Sequence, residues 1–121
     1  MDVVRREQRD AFITADGSSI RELAGVPSGN ATSQSLAEAV VPPGGATVAH
    51  LHPRAEEIYL FKHGSGRMRL GHEERPVGAG DCVVIPPGIA HKLWADQQEP
   101  LILLCCCAPP YSDTDTVLLE D

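Results

Sequence analysis

The 121-residue chain contains no apolar stretch approaching the ~18 residues that a membrane-spanning helix requires, so no part of it is read as crossing a bilayer. Its opening residues, Met1-Asp2-Val3-Val4-Arg5-Arg6, lack the apolar segment of an export signal. Basic charge is also scarce: 10 Lys and Arg against 17 Asp and Glu leave a net charge of −7, the wrong sign for a surface that holds nucleic-acid phosphates. Of the four cysteines, Cys105, Cys106 and Cys107 are consecutive and Cys82 stands apart. Neighbours on a strand point to opposite faces, so this is not the spacing of a disulfide framework. With no export signal either, the expected location is the reducing cytoplasm. Repeats, low-complexity tracts, linkers and long helix-period segments are missing as well.

What the chain has is punctuation. Eleven Gly and ten Pro recur at short intervals, which favours many short strands joined by turns. The length suits one domain able to bury a real core, divided into N-terminal strands and an arm over 1–32, a barrel core over about 33–108 and an acidic, extended tail over 109–121. Asp16-Gly17 is a turn signal joining 12–14 to 19–23 as a hairpin. Further strands are expected at 33–41, 46–52, 56–62, 67–70, 81–85, 91–94 and 101–108. That pattern implies an all-β fold, an antiparallel sandwich or small barrel.

Chemistry concentrates in two places. His50 and His52 are two apart, and side chains at i and i+2 share a strand face. Glu57 follows five residues after His52, and His91 follows the turn Pro86-Pro87-Gly88. Three imidazoles and a carboxylate brought to one spot would suit a divalent transition metal. His63 and His72 fall in turns and are expected to be exposed.

The segment Gly44-x5-His50-x-His52-x4-Glu57-x6-Gly64 resembles the first signature of the cupin superfamily, and Gly80-x5-Pro86-x-Gly88-x2-His91 resembles the second. The 15 residues between Gly64 and Gly80 match the short spacing of compact single-domain cupins. The resemblance implies an antiparallel jelly-roll barrel, a double-stranded β-helix, holding one divalent Fe, Mn, Ni, Cu or Zn ion per chain on His50, His52, Glu57 and His91. Glu57 rather than the adjacent Glu56 fits the family spacing. One departure is Ala95, which occupies a position where the second signature commonly carries Asn.

Strand alternation then nominates the cavity wall. Val48 shares a face with His50 and His52, Tyr59 and Phe61 share one with Glu57, and Leu93 and Ala95 share one with His91. Met68 is expected to point inward as apolar filler beside the substrate. Gln34 and Glu38 share a face that is either cavity wall or exposed surface. Tyr59 and Glu38 are the candidate catalytic groups. The cysteine run reads first as small buried hydrophobes, and the register that decides between Cys106 and the Cys105/Cys107 pair is open. Trp94 is out of phase with His91 and is placed outside the barrel, at the contact of a homodimer.

The expected function is that of a metal-dependent enzyme acting on a small oxygenated organic molecule, with oxygenase-type chemistry favoured. Redox-inert isomerase or lyase chemistry and non-enzymatic metabolite binding are the alternatives.

Overall fold

Gly44 and Gly88 adopt φ values of 71° and 79°, a left-handed region that residues with a Cβ rarely enter. Each reverses the chain just ahead of a histidine-bearing segment, so the turn residues set where the imidazoles begin. The computed structural model describes residues 1–119. Among these, eleven strands run in chain order: β1 (Phe12–Ile13), β2 (Ser19–Ala24), β3 (Ser35–Val41), β4 (His50–Leu51), β5 (Glu56–His63), β6 (Ser65–Leu70), β7 (Glu73–Gly78), β8 (Cys82–Ile85), β9 (His91–Ala95), β10 (Leu101–Ala108) and β11 (Val117–Leu118). Two short 3-10 turns, Arg6–Gln8 and Asp113–Asp115, complete the elements. Among the described residues no helix is long and apolar enough to cross a membrane.

The strands form two antiparallel sheets, ordered β1-β2-β3-β10-β5-β8 and β11-β4-β9-β6-β7. Between them lies an apolar core that includes Val41, Phe61, Ile85, Leu93, Leu101 and Leu103. Alternation places that core. Along β5, Glu57, Tyr59 and Phe61 are buried while Glu56, Ile58 and Leu60 are exposed, and along β9 His91, Leu93 and Ala95 are buried. The fold is the antiparallel double-stranded β-helix expected of the sequence.

Several local expectations need correction. The strand anticipated over 46–52 is regular only at His50–Leu51. Before it, Val48 N donates to Asp16 O at 2.7 Å instead of to a neighbouring ladder, so alternation fails and Val48 turns outward, 40% exposed. In β3 the inward set is Ser35, Ala37, Ala39 and Val41. Gln34 therefore lies outside and exposed, and Glu38 faces outward, gripped by Arg6 through Nη2 at 2.7 Å and Nε at 3.0 Å. Apolar residues occupy both phases of that segment, which is why alternation could not choose between them.

The tail is not simply extended. It folds back so that β11 pairs with β4, setting Val117 opposite Leu51 and Leu118 opposite His50. At the other end, 2–12 is an arm with one 3-10 turn, and only Phe12–Ile13 joins a sheet. Trp94 lies on the outer face, half-buried, with the Arg69 guanidinium 5.6 Å and the Lys92 ammonium 5.2 Å from its ring.

Candidate metal centre

His50 on β4 stands directly opposite His91 on β9, and their ring centroids lie 4.3 Å apart. His52 follows one residue beyond β4, and Glu57 enters from β5 of the facing sheet. All four side chains are buried, with exposures between 1% and 5%. Their donor atoms lie within 4.8 Å of one another. Glu57 Oε1 is 3.3 Å from His52 Nε2 and 3.4 Å from His91 Nε2.

The outer nitrogens settle which way each ring faces. His50 Nδ1 donates to Val48 O at 2.8 Å, His52 Nδ1 to Asp115 O at 3.1 Å, and His91 Nδ1 to Ile89 O at 3.1 Å. A carbonyl oxygen only accepts, so each Nδ1 carries a proton and each ring turns its Nε2 inward, where a neutral ring offers a lone pair. Backbone partners of this kind fix the tautomer and orientation of metal-binding histidines. Glu57 Oε1 and His91 Nε2 are buried with no hydrogen-bond partner. Buried acceptors left facing one another are costly, and a cation between them removes the cost. Ligand atoms about 2.1 Å from an ion at right angles sit about 3 Å apart, the scale of the separations here. The four residues fit a cupin metal site.

Electrostatics agree with that arrangement. Burial alone would raise the Glu57 carboxyl, but the His52 and His91 imidazoles and the Cys107 thiol outweigh it and hold the carboxyl at about 2. Burial pulls His50 below its ordinary value, helped by the neighbouring His91. His52 moves the other way: burial opposes its charge, yet the Glu57 carboxylate raises it. Burial, reinforced by the Glu57 charge, pushes Tyr59 well above the usual phenol value, so it stays protonated.

The cluster opens into a cavity of about 60 Å³. A water needs ~10–15 Å³ by this measure, so the space suits a molecule of few heavy atoms. Tyr59 and Leu93 line it, as the sequence predicted. Phe61, Met68 and Ala95 also point inward but pack into the core instead of the cavity wall. They sit deeper along the strand rows, where neighbouring apolar side chains cover them. Val48, Gln34 and Glu38 are not in the wall at all, for the reasons of register given above. Glu56, His63 and His72 are exposed, as expected.

The backbone register decides the orientation of the cysteines. Cys105 and Cys107 face the cavity, and Cys106 turns outward toward Gln34. Cys107 Sγ donates to Glu57 Oε2 at 3.1 Å, which leaves Oε1 as the oxygen turned toward the imidazoles.

Sequence reasoning missed Asp16, Asp115 and Tyr111. Asp16 Oδ2 is 3.6 Å from His50 Nε2. Its other oxygen, Oδ1, accepts from Thr14 Oγ1 at 2.7 Å, Ser18 N at 2.9 Å and Ser18 Oγ at 2.6 Å. Asp115 supplies the carbonyl for His52, and its carboxylate accepts from Arg54 N and Ala55 N at 2.9 and 3.0 Å. The Tyr111 ring stands edge-on to His52, with centroids 5.9 Å apart. The turn signal Asp16-Gly17 was the one clue to the first; nothing local marks the other two.

Comparison with known proteins bears on both fold and site. An uncharacterized protein of Methanocaldococcus jannaschii is 47% identical over 109 residues, covering 90% of this chain and 87% of that protein. Oxalate oxidase 1 of Hordeum vulgare is 35% identical over 88 residues, covering 64% of this chain and 44% of the barley enzyme. Among solved structures, the polyketide cyclase RemF from Streptomyces resistomycificus superposes with a TM-score of 0.84 at 24% identity, covering all of this chain and 87% of that one. The family model described as "Cupin domain" matches residues 37–107, which take in the three histidines, the glutamate and the strands that carry them. The chain belongs to the cupin domain family.

Proposed function

We propose that this protein is a mononuclear metal-dependent enzyme acting on a small oxygenated organic molecule, with His50, His52, Glu57 and His91 holding one divalent transition ion. The observation that carries this reading is the tautomer pattern: three Nδ1 protons engaged by backbone carbonyls, and three Nε2 atoms facing one unpartnered carboxylate oxygen. Three neutral imidazoles and one carboxylate leave a net charge near +1 on a divalent ion, with positions open for oxygen ligands. Bound there, such an ion supplies Lewis-acid polarisation of a substrate oxygen and, if redox-active, one-electron chemistry.

The chain's own residues supply the rest. Tyr59, held protonated, offers a phenolic donor at the cavity wall. Leu93 and Leu103 add apolar surface to the cavity wall, which strengthens polar interactions in the cavity. Oxygenase-type chemistry is the preferred finer reading, supported by the open three-histidine, one-carboxylate donor set and by the relationship to an oxalate oxidase. Redox-inert isomerase or lyase chemistry is the second reading, supported by the protonated Tyr59 and the fold shared with a polyketide cyclase.

Elemental analysis of untagged protein tests the metal. Near-stoichiometric iron, manganese, nickel or copper is expected, or zinc under the second reading. His52→Ala should abolish it and His72→Ala should not; equal retention in both would refute the ligand assignment. Oxygen-electrode assays with small diketones, phenols and thiols then separate the two readings. Oxygen uptake supports the oxygenase, and turnover without uptake supports the isomerase or lyase.

A further inference from the structure

The cavity wall is chemically lopsided. Asp16, Glu22 and Glu57 all line it, yet no lysine or arginine does among the described residues. The barley relative, an oxalate oxidase, acts on a dicarboxylate. A dianion bound here would meet the single excess positive charge of a divalent ion with Glu57, and two further carboxylates beside it. Like charges gathered in one cavity without a counter-ion repel, the more so the less water reaches them.

Asp16 is built to be something other than a metal ligand or a turn residue. Oδ1 is saturated by the Thr14 and Ser18 donors, which fixes the carboxylate plane and leaves Oδ2 free to face the cavity. Asp16 O accepts from Val48 N, which locks the hairpin against the segment that leads into His50. Oδ2 lies 3.6 Å from His50 Nε2, beyond hydrogen-bonding range. Both are acceptors when the His50 proton is on Nδ1, so neither satisfies the other. Asp16 also stands outside the set of four whose donor atoms all lie within 4.8 Å of one another. With its side chain 16% exposed, Asp16 presents Oδ2 as an open acceptor beside the centre, where a ligand's donor can reach it.

We propose, building on the metal-centre reading above, that the cavity selects neutral, hydrogen-bond-donating ligands over dicarboxylates, with Asp16 Oδ2 accepting an O–H or N–H adjacent to the ligand's metal-binding oxygen. Small hydroxyketones, hydroxyamides and their kin have this chemistry. Glu22, whose Oε2 accepts from Ser28 Oγ at 2.5 Å, adds negative charge at the wall and reinforces the discrimination.

Two probes of similar size separate the outcomes. Hydroxyacetone is uncharged and carries an O–H donor beside its carbonyl oxygen, whereas oxalate is a dianion with none. Titrating each into the cobalt(II)-loaded chain, read by the visible cobalt spectrum, gives the ratio of their affinities. Asp16→Asn keeps an oxygen for the Thr14 and Ser18 donors but turns an NH2 group toward the cavity. It should shift the ratio toward oxalate by about tenfold or more, the worth of a hydrogen bond to a charged group. Cobalt affinity, measured by chelator competition, should stay within about threefold. Asp16→Ser is the second neutral variant, judged by the same ratio. An unchanged ratio in both variants overturns the inference alone. A large loss of cobalt affinity also overturns it, since Asp16 would then be a ligand. A chain that takes up no cobalt removes the metal reading and this inference with it.

Discussion

Cys107 and Glu57 face each other directly across β10 and β5, and the buried thiol donates to Glu57 Oε2 at 3.1 Å. That bond occupies one carboxylate oxygen and leaves the other toward the three imidazoles. Groups that orient ligands in this way are worth roughly 10–100-fold in metal affinity. Cys107→Ala is expected to weaken metal binding by about that factor, while Cys107→Ser, which keeps a donor, should recover most of it. Chelator-competition titration of the three proteins checks this, and equal affinities would assign the thiol to packing alone.

The tail reaches the site at Asp115 as well as at Tyr111. Asp115 donates no ligand, but its carbonyl orients His52 and its carboxylate ties down Arg54 N and Ala55 N. Asp115→Ala keeps the carbonyl and removes the carboxylate, freeing the loop that follows His52. The expected cost is about 2 kcal/mol of stability, from two charge-assisted bonds partly replaced by water. Urea titration measures that cost. Metal affinity should fall as well, because the backbone that holds the His52 ring loosens; a change in neither quantity would make the contact incidental.

Legibility of the site in the sequence depends on range. Glu57, Tyr59, His91 and Leu93 could be oriented because the cupin resemblance named Glu57 and His91 as inward, and alternation along the regular β5 and β9 extended that to their neighbours. β3 has apolar residues on both phases, so the same rule could not keep Glu38 out of the cavity. Val48 escaped it because its amide bonds to the hairpin instead of to a strand. Asp16 and Asp115 could not be placed at all. Their positions depend on contacts across 34 and 63 residues, the Asp16–His50 and Asp115–His52 approaches. Local propensity sees Asp16 as a turn former and nothing more.

Gly66 on β6 stands opposite Ala95 in the ladder, and a Cβ built there would collide with the Trp94 carbonyl oxygen. Backbone cannot yield as a flexible side chain can. Gly66→Ala should therefore destabilise the second sheet by about 1–3 kcal/mol, the usual cost of overpacking. A lowered thermal midpoint with the cysteines still reduced checks it. Because β6 pairs with β9, the displacement would be transmitted to His91, and metal affinity should decline in parallel.

Without metal, His52 and Glu57 form the ion pair that the ion would otherwise replace, and the two titrate in opposite senses. Glu57 falls from its ordinary 4.5 to about 2 on folding, through His52 and His91 acting against burial. A depressed acid stabilises the fold above its unfolded value and loses that contribution as pH falls, so stability declines from about pH 4.5 toward 2. The full contribution is about 3 kcal/mol, since a tenfold change in proton affinity is worth ~1.4 kcal/mol. His52 is raised above 6.5, with the Glu57 carboxylate overcoming burial, so its contribution is present below that pH and lost as pH rises through the raised value. The contribution of the His52–Glu57 pair should thus be largest between about pH 4.5 and 6.5, offset below 6.5 by His50, which burial holds below its ordinary value. Urea midpoints across pH measure the profile, and Glu57→Gln should flatten both limbs because it removes one partner and uncharges the other. Added metal should abolish the alkaline decline, since the ion then takes the place of the His52 proton. A decline that persists with metal bound would mean that the ion sits somewhere other than between these two side chains.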